Sequence, residues 1–319
     1  MATGWVALLL AAAWGAGRLL LRWLLPDPAD GPAAVLEIVL GLGVLTQVWF
    51  WAALAGHFRA AVILLLPLAL GLLLRRRATA GPTPDGRRAW LWPGFFAALA
   101  LLPLPLALLP ELNFDALRVH LWIARELAST GAMPSDLSNW AVYVPETAGV
   151  WFGAAFLAGG EIAAKLAQYA LGLLAGLLLA RWGNDRLGRP WGWAAGALFL
   201  GLPVIAWLMG TAYMDLALVL FLLASLVGLD EWGRSGRAGW LAAAGLLFGC
   251  GLASKYHALV WAPFLAGAAL ALGRRRNLSW PRCLGAAVLL LGLGLALLAP
   301  WLARNWALTG NPVVPVPLP

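Results

Sequence analysis

Residues 283–301 read CLGAAVLLLGLGLALLAPW, a run without a charged side chain. An α-helix rises about 1.5 Å per residue, so an apolar run of this length can cross the roughly 30 Å of hydrocarbon in a bilayer. Backbone polar groups cannot stay unpaired in hydrocarbon, and a helix pairs them within one segment. The run therefore predicts a transmembrane helix, and similar runs recur along the chain.

The composition of the 319 residues also indicates that most of the chain lies in lipid. Hydrophobic residues make up 62% of the chain and charged residues only 11%, and the mean hydropathy is +0.83, far above what a water-soluble core needs. The formal net charge is +8, but the arginines gather in short loops between apolar runs, which is typical of membrane topology rather than of nucleic-acid binding. The two cysteines, Cys250 and Cys283, lie in or beside apolar runs, and their spacing predicts neither a disulfide framework nor a metal site.

The apolar runs predict an all-α, polytopic transmembrane helical bundle of about ten spans, forming a single integral membrane domain over residues 1–319. The first run contains Arg18 and Arg22 and lacks a small-residue cleavage site, so we expect a retained span rather than a signal peptide. The expected spans are residues 5–25, 33–56, 60–74, 89–109, 162–180, 190–209, 213–229, 238–253, 257–273 and 283–301.

Basic loops orient these spans. The two most basic loops are residues 75–88 and 274–282, and both are expected on the cytoplasmic side. The less basic loops at 181–189 and 230–237 are expected there as well. The crossing count requires that VWFGAAFLAGG at 150–160, too short to span alone, is a re-entrant or interfacial piece. Four polar segments are then expected together on the non-cytoplasmic face, namely residues 110–147, 210–215, 254–256 and the tail after 301.

The densest group of charges on that face is NFDALRVHLWIARE at 113–126. Its period is helical, with Asn113 as a plausible N-cap, and it predicts an amphipathic juxtamembrane helix in a non-cytoplasmic loop. The charges could simply face water, with Asp115 favoured in the first turn by the helix dipole. Three other polar segments on the same face favour a functional site instead. One helix face carries Asp115, Arg118, Trp122, Arg125 and Glu126, and the other carries Leu117, Leu121, Ala124 and Leu127.

Two of those segments begin or interrupt apolar runs. GTAYMDLAL places Tyr213 and Asp215 at the start of a run, where an acid is costly unless it is paired or faces a wet cavity. ASKYHAL places Lys255 and Tyr256 between two runs, where a lysine could also merely snorkel to the interface. Lys165 is the only other lysine in a chain that otherwise uses arginine, which makes Lys255 conspicuous.

The remaining segment follows the last span and contains Arg304 and Asn305. An arginine just past a span on the non-cytoplasmic side departs from the positive-inside tendency and suggests a phosphate partner as much as an anchor. Other acids have simpler interpretations. Glu146 could be a helix-start acid or an acceptor contact, and Glu161 with Lys165 could be an i,i+4 ion pair.

Three segments together resemble a known family. FDALRVHLWIARELASTGAMP (114–134), SKYHALVWAPF (254–264) and PWLARNWALTGNPVVP (300–315) resemble segments of the bacterial GT-C glycosyltransferases that use polyprenyl-phosphate sugars, a group that includes protein O-mannosyltransferases and aminoarabinose transferases. The resemblance implies N-terminal spans over 1–88 and a catalytic module over 89–319 that contains the loop 110–147. Relatives generally continue beyond the position of the last residue, which leaves open that the C-terminus is incomplete.

The resemblance also implies a site. Asp115 matches the loop aspartate that lies beside the reacting sugar in such enzymes, as the general base or as a ligand of a divalent metal ion. His120 matches a histidine often found in the same loop helix, and a divalent ion is the one cofactor left open. Further residues would bind the substrates: Glu111, Arg118, His120, Tyr213, Asp215, Lys255, Tyr256, Arg304 and Asn305.

The implied function is a membrane glycosyltransferase of the cell (plasma or inner) membrane, with its active site on the non-cytoplasmic face. It would move a sugar from a polyprenyl-phosphate donor to a hydroxyl of a glycan, lipid or protein acceptor, and nucleic acid is not an expected partner. Asp115 would accept the proton, while Lys255 and Arg304 would neutralise the leaving phosphate. Two alternatives stay open: a non-catalytic scaffold of the same fold, and a lipid or solute transporter, although neither a repeat nor a midplane charge cluster is visible.

Overall fold

The computed structural model describes residues 1–25, 34–73, 91–136, 138–188 and 191–315. The described residues form an all-helical protein without strands. The predicted basic loop at 75–88 lies outside the described residues. The α-helices are α1 (Ala2–Leu24), α2 (Ala34–Leu54), α3 (Phe58–Leu73), α4 (Leu91–Leu101), α5 (Leu104–Ala107), α6 (Leu121–Thr130), α7 (Thr147–Leu187), α8 (Trp191–Leu200), α9 (Pro203–Met209), α10 (Asp215–Ser235), α11 (Ala238–Leu252), α12 (Ala262–Arg275) and α13 (Trp280–Thr309).

Each predicted apolar run forms a helix, but the count of about ten spans is not confirmed. Within the described ranges, six helices are long and apolar enough to cross a membrane, or seven if α8 and α9, which are bent by 69°, are one span. Other apolar helices are short. The 15 residues of α11, for example, extend only about 22 Å. The long helices nevertheless identify a multi-pass membrane protein.

Helix α7 is the centre of the bundle and packs against α1, α2, α6, α8 and α10. Aromatic side chains fill the space around it, with Trp49 of α2 stacked on Trp151 of α7 at 6.4 Å between ring centroids. Small residues bring other helices close: a Cβ on Gly17 of α1 would lie 1.7 Å from the carbonyl oxygen of Glu37 in α2. Close backbone approach of this kind is common between membrane helices, where dispersion contacts replace the hydrophobic effect.

Helix α7 is divided at Gly160, whose backbone angles of φ 62° and ψ −157° are not helical. The piece at 150–160, predicted to be re-entrant or interfacial, is the first half of α7. Val150, Phe152 and Ala154 are fully buried, so this piece packs within the protein. Since a side chain strongly disfavours such positive-φ geometry, glycine is the residue that permits the break.

The amphipathic helix predicted from residue 113 forms in two parts, a π-helical turn over Ala116–His120 followed by α6. Its apolar face packs against α7, and Leu121, Ala124 and Leu127, predicted to share that face, are buried within the protein. Leu117 was expected on the same face but is 41% exposed, because the i→i+5 bonding of a π-turn changes the angular step between residues. The Asn113 side chain caps no helix and instead donates to Glu111.

Candidate active site

Four chain segments meet at one end of the bundle, and hydrogen bonds join them. Glu111 accepts a hydrogen bond from the backbone N–H of Ala212 at 2.9 Å, which links the 110–147 loop to the turn before α10. The Thr147 hydroxyl donates to the Ala253 carbonyl at 2.7 Å, which links the same loop to the break after α11. At the end of α13, the Asn305 amide donates to the Tyr143 carbonyl at 2.7 Å. The segments predicted to share a face are therefore adjacent.

Glu111 is the buried acid that fixes the start of the loop. One carboxylate oxygen accepts from the Asn113 amide at 2.7 Å and from the backbone N–H groups of Leu112 and Asn113, and the other accepts from Ala212. Burial acts to raise the pKa of Glu111, but the hydrogen bonds from Asn113 and Ala212 and the charge of Lys165 outweigh it, so its pKa lies below the ordinary value. Glu111 is therefore ionised and holds the start of the loop against the turn before α10 through these hydrogen bonds, an arrangement called the ionised clamp here.

His120 forms a buried pair with Glu146. The distance between His120 Nδ1 and Glu146 Oε1 is 3.0 Å, and the two side chains are 7% and 1% exposed. The His120 ring contacts the ring of Tyr213 with centroids 5.6 Å apart, and Tyr213 in turn contacts Trp207 at 5.2 Å. The imidazole therefore lies between a buried carboxylate and an aromatic pair.

Tyr213 stands at the centre of the acidic groups. Burial raises the pKa of its phenol, and the charges of Asp115, Glu111 and Asp215 raise it further. These carboxylates oppose the formation of a phenolate. Tyr213 therefore stays protonated near neutral pH and can donate a hydrogen bond to a ligand.

Lys255 and Asp215 form an ion pair on the open side of the site. The Lys255 ammonium donates to Asp215 Oδ1 at 2.7 Å, and the two side chains are 29% and 33% exposed. Asp215 is the first residue of α10, where a negative charge is stabilised by the helix dipole. An ammonium has three N–H donors, so Lys255 keeps donors for an anionic ligand.

Arg304 and Asn305 hold the loop from the opposite side. The two terminal nitrogens of the Arg304 guanidinium donate to the carbonyl oxygens of Pro134 and Val142. The Asn305 amide also donates to the Tyr256 hydroxyl at 3.2 Å. In this arrangement Arg304 anchors the loop, and its contact with a donor phosphate stays a prediction.

Asp115 and Arg118 lie on the exposed side of the loop helix. Among the described residues, the Asp115 carboxylate has neither a hydrogen bond nor an ion pair, while the Arg118 guanidinium lies 5.8 Å from the ring centroid of Phe114. Leu112 and Phe114 are 90% and 70% exposed. A free carboxylate is thus bordered by an apolar strip whose exposure to water is unfavourable.

Two features of the site were not recognised in the sequence. Glu146 occupies the N-cap position of α7 without capping it, and its side chain pairs with His120 instead. Lys165 does not form the simple helix pair with Glu161: its ammonium donates to the carbonyl oxygens of Leu106 and Leu109 at 2.8 and 2.7 Å. The break at Gly160 lies between Glu146 and Lys165 along the chain, and no local spacing rule predicts it.

The described part of the chain contains no group of three or more His, Cys, Asp or Glu side chains that could hold a metal ion. Asp115 by itself is not a fitting protein site for a divalent cation, which prefers several oxygen ligands.

Comparison with known proteins gives one match. Residues 150–303 match the family model described as dolichyl-phosphate-mannose-protein mannosyltransferase. The match covers 154 of the 319 residues, just under half. It includes Tyr213, Asp215, Lys255 and Tyr256, and begins after the loop that carries Asp115. No significant match is found among the curated proteins or among the solved structures.

Proposed function

From this family match, which confirms the resemblance to the GT-C glycosyltransferases, we propose that the chain transfers a sugar from a polyprenyl-phosphate donor to an acceptor hydroxyl at the non-cytoplasmic face of the cell membrane. The observation that carries the proposal is the junction of the family-matched segments with the Asp115 loop. The hydrogen bonds from Ala212 to Glu111 and from Thr147 to Ala253 make that junction.

The donor phosphate is assigned to the side of the site that contains Lys255. Its ammonium is oriented by Asp215 at 2.7 Å and is 29% exposed, so it is fixed in place yet reachable. A charge-assisted contact to the phosphate would strengthen as the leaving group gains negative charge. The protonated Tyr213 phenol, two residues before Asp215, supplies a neutral donor.

The sugar is assigned to the space beside Asp115. This carboxylate is exposed and unpaired among the described residues, so it can accept the proton of the acceptor hydroxyl or place a negative charge beside the anomeric carbon. The strip of Leu112, Phe114 and Leu117 beside it is exposed, and an apolar strip next to a charged site suits a donor whose head is polar and whose tail is a prenyl chain.

The acceptor is assigned by its chemistry only, as a hydroxyl of a glycan, lipid or protein. Attack by this hydroxyl on the anomeric carbon expels polyprenyl phosphate. Lys255 offsets the charge on that leaving group. Arg304 holds the loop in place through its hydrogen bonds to Pro134 and Val142, and its contact with the phosphate stays a prediction.

The test compares Asp115→Asn with Asp136→Asn in proteoliposomes. Asp136 is an exposed aspartate of the same loop whose carboxylate accepts hydrogen bonds from Ser138, so its substitution makes the same chemical change away from the site. We expect transfer from polyprenyl-phosphate sugars to fall by about 10²-fold or more in Asp115→Asn with donor binding retained. Asp136→Asn should match the parent. Equal rates in the two variants would refute the assignment of Asp115.

A further inference from the structure

His120 and Glu146 form a buried side-chain pair at the site, and the proposed transfer as described so far does not use it. Glu146 is 1% exposed, and its second carboxylate oxygen, Oε2, is buried without a hydrogen-bond partner. A buried carboxylate is costly unless it is paired. His120 is its only side-chain partner among the described residues, so the position of each depends on the other.

The contact points to one tautomer of His120. A carboxylate oxygen accepts hydrogen bonds, and in the tautomer with the proton on Nδ1 this atom donates to Glu146 Oε1 at 3.0 Å. In the neutral imidazole the other nitrogen, Nε2, is then an acceptor. Nε2 has no hydrogen-bond partner among the described residues, and the imidazole ring of His120 contacts the ring of Tyr213.

Resting on the proposed function, we propose that His120 is the proton acceptor of the transfer and that Glu146 is its positioning residue. The acceptor oxygen forms a bond to the anomeric carbon and gives its proton to His120 Nε2. The bond between the anomeric carbon and the phosphate oxygen breaks, and polyprenyl phosphate leaves with the electron pair. Glu146 stabilises the imidazolium that results.

This assignment separates the roles of His120 and Asp115. Histidine accepts and releases a proton near neutral pH more readily than aspartate, and His120 has the carboxylate partner that orients a general base. Asp115 has no such partner and would act on the sugar through its charge. The loop helix would then present both residues, one buried and oriented and one exposed.

Charged and titratable groups surround His120 from several elements. Glu146 contacts it from the start of α7, and Tyr213 contacts it from the turn before α10 as a neutral phenol. Asp115 and Arg118 are charged on its own helix. Glu111 and Asp215 also act on Tyr213, and Lys255 pairs with Asp215. All except Glu146 are unchanged in Glu146→Gln, so a shift in that variant reports the Glu146 charge.

The first experiment reads the tautomer of His120 without requiring turnover. The chain has three histidines, and both others, His57 and His257, are exposed. Nitrogen NMR of the ¹⁵N-histidine-labelled protein in liposomes, with His120→Asn for assignment, should show His120 protonated at Nδ1 only. Glu146→Gln should keep this tautomer, because the amide oxygen can accept the same bond, and Glu146→Ala should lose it. Protonation at Nε2 in the parent would overturn the proposal.

The second experiment measures transfer against pH in the parent and in Glu146→Gln. A nearby carboxylate favours the imidazolium, so its removal should move the acid limb of the pH–rate profile to lower pH and lower the maximal rate at least tenfold with little change in KM. His257→Asn is the matched control and should follow the parent. A purely structural Glu146 would leave the acid limb in place and overturn the proposal.

The two experiments separate this proposal from the function on which it rests. If the parent turns over no polyprenyl-phosphate sugar, the proposed function fails and the proton-accepting role of His120 fails with it, whereas NMR still reads whether Glu146 fixes the tautomer. If the parent is active and Glu146→Gln keeps both the parental rate and the acid limb, only the role of the pair fails. If Glu146→Ala does not fold, the parent and Glu146→Gln decide the question.

Discussion

At the residue scale, the proposed recognition of an anionic donor depends on Lys255. Charge-assisted hydrogen bonds contribute about 1.5–3 kcal/mol, so we expect Lys255→Gln to raise the KM for a polyprenyl-phosphate sugar about 10- to 100-fold. Initial rates over a range of donor concentrations measure the change.

The matched control for Lys255 is Arg181→Gln. Arg181 also pairs with an aspartate, Asp185 at 3.4 Å, but on an exposed helix surface, where the two side chains are 52% and 46% exposed. Its substitution should leave the KM within about twofold of the parent, since such exposed pairs contribute little. An unchanged KM in Lys255→Gln would contradict its role in phosphate binding.

The sequence predicts individual site residues only where a residue departs from its surroundings. Lys255 was conspicuous because the chain otherwise uses arginine, and Asp215 because it begins an apolar run. Glu146 gave no comparable signal, since an acid at a helix start is common. Its contact with His120 joins residues 26 positions apart, and such a contact follows from tertiary packing rather than from local pattern.

At the scale of elements, the break in α7 depends on Gly160. An alanine there would meet no atom within 4 Å, so the cost of Gly160→Ala comes from the backbone, whose φ of 62° is strained for any other residue. We expect a loss of about 1–3 kcal/mol in the free energy of unfolding. Thermal unfolding of the parent and of Gly160→Ala in the same detergent measures this loss.

Gly267→Ala in α12 is the control for Gly160→Ala. It too has no atom within 4 Å of the added Cβ, but its backbone is helical, so the substitution should be neutral or slightly stabilising. Similar melting temperatures for the two variants would show that Gly160 is not required for the break.

The loop that begins at Glu111 should be stabilised in a pH-dependent way. Because the pKa of Glu111 is below its ordinary value in the folded protein, its ionised form contributes stability above the ordinary pKa, and this contribution is lost as the pH falls through the lowered value. Glu111→Gln should therefore lower the free energy of unfolding by about 1–3 kcal/mol at neutral pH. The difference from the parent should shrink in acid.

Thermal unfolding from neutral to acid pH measures this effect, with Glu126→Gln as the control. Glu126 is a partly exposed glutamate of α6, and its substitution should change stability by no more than about 0.5 kcal/mol at any pH. A difference between Glu111→Gln and the parent that does not depend on pH would contradict the ionised clamp.

Among elements, apolar period and length predicted where the helices form but not how they are broken. The run at 190–209 is bent by 69° between α8 and α9, and the run at 89–109 is divided into α4 and α5. The π-turn that turns Leu117 outward is likewise invisible to a helical wheel, because a wheel assumes one constant angular step.

At the scale of the whole molecule, the proposal requires the 110–147 loop and the turn after α10 to lie on opposite sides of the membrane. Ser135 and Ser235 are exposed in these two places, and the native cysteines are buried. A membrane-impermeant maleimide applied to intact cells should label Ser135→Cys at once and Ser235→Cys only after permeabilisation. Labelling of both from the same side would contradict the topology.

The central claim is that the donor is a sugar linked to a polyprenyl phosphate. The most direct test supplies the purified parent, in proteoliposomes with a cell-envelope extract as the acceptor source, with labelled polyprenyl-phosphate sugars and, separately, with the same sugars linked to nucleotides. The account predicts that label leaves only the lipid donors and that free polyprenyl phosphate accumulates in step. Transfer from nucleotide sugars, or lipid donors that remain intact, would contradict it.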